Sequence, residues 1–175
     1  MAAFLSGFCI LHLNYKIMTS QFFTYDKGKV IQALRYHFIT RKEIKIMIVV
    51  VNVFTLIAGT LCYFKKISPL AFLGSSVLWF ALMIVFLFVL PIIIYKKSET
   101  FKATLKVTIT DTQFTIENDR GNRRWPWKDF SNWMESPHFF HLYFDSRSFF
   151  IIPKDAFEEH ELKDVRKILN TGIGK

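Results

Sequence analysis

The chain has 175 residues, 51% of them hydrophobic and 17% aromatic, and a formal charge of +9. That is too apolar for an ordinary soluble domain and too short for more than one or two units, so a membrane segment is expected. The charge does not indicate a nucleic-acid partner: residues 1–95 carry nine Lys/Arg against two acids and residues 96–175 carry fourteen against twelve, and basic residues beside long apolar runs report membrane topology.

Residues 1–24 read as an N-terminal extension. "MAAFLSGFCILHLNYK" is apolar but has no basic residue before Lys16, so the positive start of a secretory signal is absent. Met18 is the expected natural start, with the residues before it an upstream in-frame extension. Residues 25–45 follow as a juxtamembrane helix. In "YDKGKVIQALRYHF", Val30, Ile31, Leu34 and Phe38 recur at helical spacing, with Lys27, Lys29 and Arg35 elsewhere around the turn. Two placements fit equally: an amphipathic helix on the membrane surface or on the soluble domain, or an ordinary helix leading into the membrane.

Residues 46–95 are read as a transmembrane hairpin. The run 46–64 has 19 uncharged residues, enough to span roughly 30 Å as a helix. The run 67–95 has 29, more than one crossing needs, so its membrane core is placed at 70–90, with Pro69 and Pro91 marking the ends and Tyr95 at the interface. Six basic residues precede the first span (Lys27, Lys29, Arg35, Arg41, Lys42, Lys45) and four follow the second (Lys96, Lys97, Lys102, Lys106), against Lys65 and Lys66 between them. Both termini are therefore expected in the cytoplasm. Asn52 is the one strongly polar side chain of the first span and is expected to bond across to the neighbouring helix.

Residues 96–175 change character. "KATLKVTIT" alternates, with Leu105, Val107 and Ile109 on one face, as a strand with one buried side requires. "QFTIEN" continues as a second strand, and "DRGN" supplies in Gly121 the residue that a tight turn uses for positive φ. Further strands are expected at "DFSNWMES", "HFFHLYFD" and "SFFIIPK". A helix is expected over 158–170, where Leu162, Val165, Ile168 and Leu169 recur at three- and four-residue intervals and Glu158, Glu159 and Glu161 complement the dipole at its start.

The segment "RGNRRWPWKDF" stands out. Trp125 and Trp127 share a parity that puts both on one strand face, and Pro126, unable to donate to a ladder, belongs at an edge or bulge. Structural duty is the first reading. The functional one assigns Arg123, Arg124, Trp125, Trp127 and Lys128 to a contact surface, because arginine and tryptophan together favour interfaces and headgroup-level contact, while Trp133 is assigned to the core.

Catalytic patterns are absent: there is no P-loop, GxSxG, HExxH or glycine-rich dinucleotide turn. His138 and His141, three apart in an expected strand, point to opposite faces and cannot share a metal. Cys9 and Cys62 are the only cysteines, one in the extension and one inside a span, so neither a disulfide framework nor a zinc cluster is available. No catalytic residue, metal or cofactor is expected.

The run "FKATLKVTITDTQFTIENDRGNRRWPWKDFSNWMESPHFFHLYFDSRSFFIIPKDAF", preceded by two spans and by "VIQALRYHF", resembles the YcxB-like family of small bacterial membrane proteins, most distinctively at "NDRGNRRWPW" and "SFFIIPKDAF". The resemblance covers 25–169. It implies an α+β membrane protein: a two-helix transmembrane hairpin, then a small antiparallel, pleckstrin-homology-like β-domain in the cytoplasm, closed by a C-terminal helix. It implies a bacterial inner-membrane, multi-pass location and carries over no catalytic motif.

Three function classes follow. The first is a non-enzymatic membrane-anchored module whose β-domain binds a protein or an anionic lipid headgroup. The alternative is an immunity or self-protection protein against a membrane-acting bacterial toxin. The third, an enzyme or transporter, lacks a constellation of nucleophile, base or metal ligands, and two helices alone cannot enclose a pore.

Overall fold

A computed structural model describes residues 17–146 and 148–173. In chain order the elements are β1 (Ile17–Thr19), α1 (Lys27–Thr40), α2 (Lys42–Tyr63), α3 (Pro69–Ile84), a π-helical turn (Val85–Val89), α4 (Leu90–Lys97), β2 (Lys106–Thr110), β3 (Gln113–Asn118), β4 (Gly121–Pro126), β5 (Asn132–Glu135), β6 (Phe139–Tyr143), β7 (Phe149–Pro153) and α5 (Leu162–Ile173). The architecture is α+β. All strand pairings are antiparallel, in a four-stranded sheet ordered β1-β2-β3-β4 and a three-stranded sheet ordered β5-β6-β7.

The alternation read from "LKVTI" is a buried face: Leu105, Val107 and Ile109 are at most 2% exposed. With Phe114 and Ile116 of β3 they share one core with Phe140, Leu142 and Ile152 of the second sheet and with Val165, Ile168, Leu169 and Ile173 of α5. Side chains in a strand alternate between faces, so the neighbouring residues of β6 and β7 must point the other way. They are also apolar because that face is covered too: Phe139 and Ile151 pack against Val30, Ala33 and Leu34 of α1. Hence "HFFHLYF" and "SFFIIP" read as continuous apolar runs where β2 and β3 alternate. Between the two placements left open for residues 25–45, the structure sets α1 on the β-domain, with its start capped by the Asp26 carboxylate, which accepts the Lys29 backbone N–H at 2.8 Å.

The helices α2 and α3 form an antiparallel hairpin joined by a short turn in which Lys65 takes φ +56°. Ser68 Oγ caps α3 by accepting the Ala71 N–H at 3.3 Å, and Pro69 occupies the first turn, as expected of a start. Two helices are long and apolar enough to cross a membrane: Lys42–Tyr63 and the continuous rod Pro69–Lys97.

Four expectations are corrected. Pro91 does not end the second long helix. A proline removes the N–H that would bond the carbonyl four residues back, here Leu87 O. The π turn widens the helix just before it, and Arg35 Nε of α1 donates to Leu87 O at 2.9 Å, with its guanidinium 4.6 Å over the Phe88 ring. Asn52 does not reach across to α3, because its Nδ2 donates to Ile48 O of its own helix at 2.7 Å. Residues 17–24 are not an appendage: β1 pairs with β2, Met18 is in the core, and Phe23 bridges Leu105. The expectations for residues 1–16, Cys9 included, lie outside the described residues. Lastly, Glu158, Glu159 and Glu161 precede α5 instead of opening it, and the Glu158 N–H donates to Glu161 Oε2 at 3.1 Å.

Candidate functional site

Among the described residues β4 is an edge strand, paired only with β3. The hairpin turn before it is held by Asn118 Oδ1, which accepts the Arg120 N–H at 2.9 Å, and by Gly121 at φ +130°, a conformation that L side chains rarely adopt. The glycine expected from "DRGN" therefore has its physical reason.

Cross-strand partners share a face, so register decides where the basic and aromatic residues point. Trp125 opposes Phe114 and Arg123 opposes Ile116, both buried core residues; Arg124 opposes Thr115 and so lies on the other face. Beyond the strand the core ends, and on the inner face an open groove of about 640 Å³ is left. Its floor is Leu105, Ile116, Trp125 and Phe150, with the Trp125 and Phe150 rings edge to face at 5.0 Å. Arg120 and Arg123 stand on one rim, the Arg123 guanidinium 6.0 Å from the Trp125 ring centroid. The opposite rim comes from the segment just after α4, where Glu99 and Lys102 form a loose ion pair at 3.9 Å. Arg120, Arg123 and Arg124 make no ion pair among the described residues.

The five residues assigned to a contact surface are thus not brought together. Arg123 and Trp125 converge on the groove. Arg124 is exposed on the opposite face, and Lys128 sits in a separate 3₁₀ turn. Trp127 shares the core side with Trp125, as its parity predicts, their rings 6.3 and 6.0 Å from Phe114, but its place in the contact surface is corrected: the indole is 5% exposed and its Nε1 donates to Thr110 O at 2.8 Å. A Cβ added at Gly172 of α5 would stand 2.7 Å from Trp127 Cγ, so the helix closes directly on this ring. Trp133, assigned to the core, is half-buried against it. The sequence could not supply Glu99, Lys102 or Phe150, which reach the groove from distant segments.

Two polar clusters lie outside the groove. Glu135 of β5 accepts from Arg166 of α5 through both oxygens (3.0 and 2.9 Å) and meets Lys154 Nζ at 2.6 Å. The Arg166 hydrogen bonds, followed by those of Lys154, pull its carboxyl down to about 2. Between α1 and the second sheet, His37 Nδ1 and the Tyr143 hydroxyl are hydrogen-bonded at 2.9 Å, and the Phe149 ring stacks 4.4 Å from His37. His141 is fully buried with neither ring nitrogen hydrogen-bonded, whereas His138 is exposed and lies outside the strand. Burial, then Arg41, lowers His37 to about 4; burial, then His37, lowers His141 to about 3. Both rings are neutral at neutral pH. Among the described residues no three His, Cys, Asp or Glu are grouped to hold a metal.

Comparison with the curated proteins and with the solved structures returned no match. Residues 109–169 match the model of the YcxB-like protein family, a stretch running from Ile109 of β2 to Leu169 of α5 and including the whole of β4; the two long apolar helices lie outside it. Residues 109–169 are therefore similar to the YcxB-like family, the one read in "NDRGNRRWPW" and "SFFIIPKDAF".

Proposed function

We propose that this protein is a non-enzymatic binding module, held in a bacterial inner membrane by its helical hairpin, whose cytoplasmic β-domain takes an acidic segment of a partner protein into the groove beside β4. The observation that carries this reading is the convergence of Arg123 and Trp125, through the β3–β4 register, on one open groove with an apolar floor, whose arginines have no ion pair among the described residues. Unpaired cations over an aromatic floor suit a carboxylate-bearing chain: the arginines fix the charges and the floor takes the apolar side chains between them.

The bilayer anchor is supported by α2 and α3, which bury no residue although both are strongly apolar. The excess of basic residues at the outer ends of the two helices supports cytoplasmic termini. A pleckstrin-homology-like arrangement is supported by seven antiparallel strands in sheets of four and three, closed by a C-terminal helix on their shared core.

Opposite faces of one strand supply the test. In full-length protein in native membranes, Arg123→Glu should lower crosslinking of a partner to the groove by at least tenfold, while Arg124→Glu leaves it near the parent level. Equal loss in both variants, or none in either, overturns the groove. Binding to vesicles of anionic lipid that both substitutions weaken alike assigns the basic residues to the membrane surface instead.

A further inference from the structure

The serine and threonine hydroxyls within the two long helices turn back onto their own backbones: Thr55 to Val51 O, Thr60 to Leu56 O, and both Ser75 and Ser76 to Phe72 O. Each donor is thereby used. Asn52 differs, because a primary amide has two N–H donors and an oxygen acceptor, and its bond to Ile48 O takes only one donor. One N–H and Oδ1 form no further hydrogen bond among the described residues.

The position makes this costly. Asn52 is ten residues from Lys42 and eleven from Tyr63, the midpoint of the helix, about 15 Å from either end. It is exposed, away from the α3-facing line Val51, Thr55, Ala58 and Cys62. If α2 spans a bilayer, as proposed above, the amide sits at the depth where hydrocarbon offers it nothing. Lining up with it are Val49 three residues before, Leu56 four after and Tyr63 seven beyond that, 61%, 72% and 82% exposed. That is the heptad spacing of a helix–helix seam with one polar residue in it.

An asparagine is its own complement, since the N–H of one amide meets the oxygen of another across a two-fold axis. We infer that two copies of this chain pair in the bilayer through α2, with their Asn52 amides reciprocally hydrogen-bonded at the centre of a Val49–Asn52–Leu56–Tyr63 seam. A second copy satisfies both remaining groups at once; lipid satisfies neither. The inference rests on the bilayer reading and is independent of the groove.

The test uses full-length protein, fluorescently tagged and reconstituted in phosphatidylcholine vesicles, with energy transfer followed as lipid is added. The parent should associate at dilutions where chance encounters vanish. Asn52→Leu, which changes an exposed side chain and leaves the fold intact, should weaken association by about tenfold, and Asn52→Gln should largely restore it. In a background lacking Cys9 and Cys62, Val49→Cys should crosslink between copies and Phe54→Cys, on the far side of the helix, should not. Association unchanged in Asn52→Leu, a monomeric parent, or equal crosslinking at both positions overturns the pairing. Flotation with the vesicles separates the two readings: protein that fails to float sinks the bilayer anchor, whereas protein that floats but does not pair sinks only this inference.

Discussion

The helical hairpin and the β-domain use the same residue types in opposite ways. Val107, Leu142 and Ile152 of the strands are at most 1% exposed, whereas Leu56, Leu70 and Leu78 of the helices are 72%, 78% and 63% exposed. In the β-domain apolar surface is removed from water by other protein, so each side chain is held by specific neighbours. In the hairpin the chain leaves that surface outward, where the bilayer proposed above would supply apolar surroundings. Hydropathy alone does not separate the two cases, because strand and span are both rich in Val, Ile, Leu and Phe. Period separates them: an alternation of two marks one buried face, and an unbroken run of helical length marks a surface apolar all round.

The sharpest way to break this contrast is to delete the same kind of side chain on each side of it. Phe140 is fully buried between the second sheet and the shared core. Phe140→Ala should cost about 3–5 kcal/mol, enough to unfold or loosen the β-domain, as read by its resistance to protease in detergent-solubilised protein. Leu78→Ala, at a position of α3 that is 63% exposed, should change that resistance by less than about 0.5 kcal/mol. Comparable costs at the two sites would mean that this face of α3 is packed against protein.

Much of this division was legible. Both long helices, the alternating β2 and β3, the turn at Gly121 and the amphipathic α5 follow from local spacing. What escaped was set at a distance. β1 has three residues, and its partner β2 lies some ninety positions on. Pro91 broke a sound local rule because Arg35, more than fifty positions away, takes the carbonyl that proline frees. Trp127 keeps the face its parity predicts but is no contact residue, because α5, more than thirty positions on, closes over its ring at Gly172. In the groove, Arg123 and Trp125 could be named from "RRWPW", but which of the two arginines faces the aromatic floor depends on register with β3.

A second prediction sharpens the comparison at the layer where α1 meets the β-domain. His37 and His141 are held neutral, at about 4 and about 3 against an ordinary 6.5, so an unfolded chain takes up protons below pH 6.5 that the folded one refuses. The stability this represents is present above pH 6.5 and drains away as pH falls toward 4 and 3, at no more than about 1.4 kcal/mol per pH unit for each ring. Glu135, drawn down to about 2 from 4.5, contributes above pH 4.5 and loses its contribution between there and pH 2. Of these three groups only the two histidines contribute to weakening between pH 6.5 and 4.5. His141→Leu removes a ring whose two nitrogens are buried without partners, so it should stabilise the β-domain by about 1 kcal/mol at pH 8 and by more at pH 5. Thermal unfolding at the two pH values checks it; an acid sensitivity that survives the substitution removes His141 as a source.

The smallest effect is expected where the two regions join. Arg35 links α1, which belongs to the β-domain by its packing, to Leu87 in the rod that leaves the hairpin. Replacing it by leucine deletes one charge-assisted hydrogen bond and strands a carbonyl beside Pro91, a loss of about 1–2 kcal/mol confined to the junction. Core melting should hardly move. Amide exchange should instead speed up in α4 and in the second half of α1, because the contact that fixes one against the other is gone. If exchange rises throughout the β-sheets as well, the junction is part of the same cooperative unit as the core, and the helical hairpin cannot be treated as a separate apolar body that the folded domain merely holds.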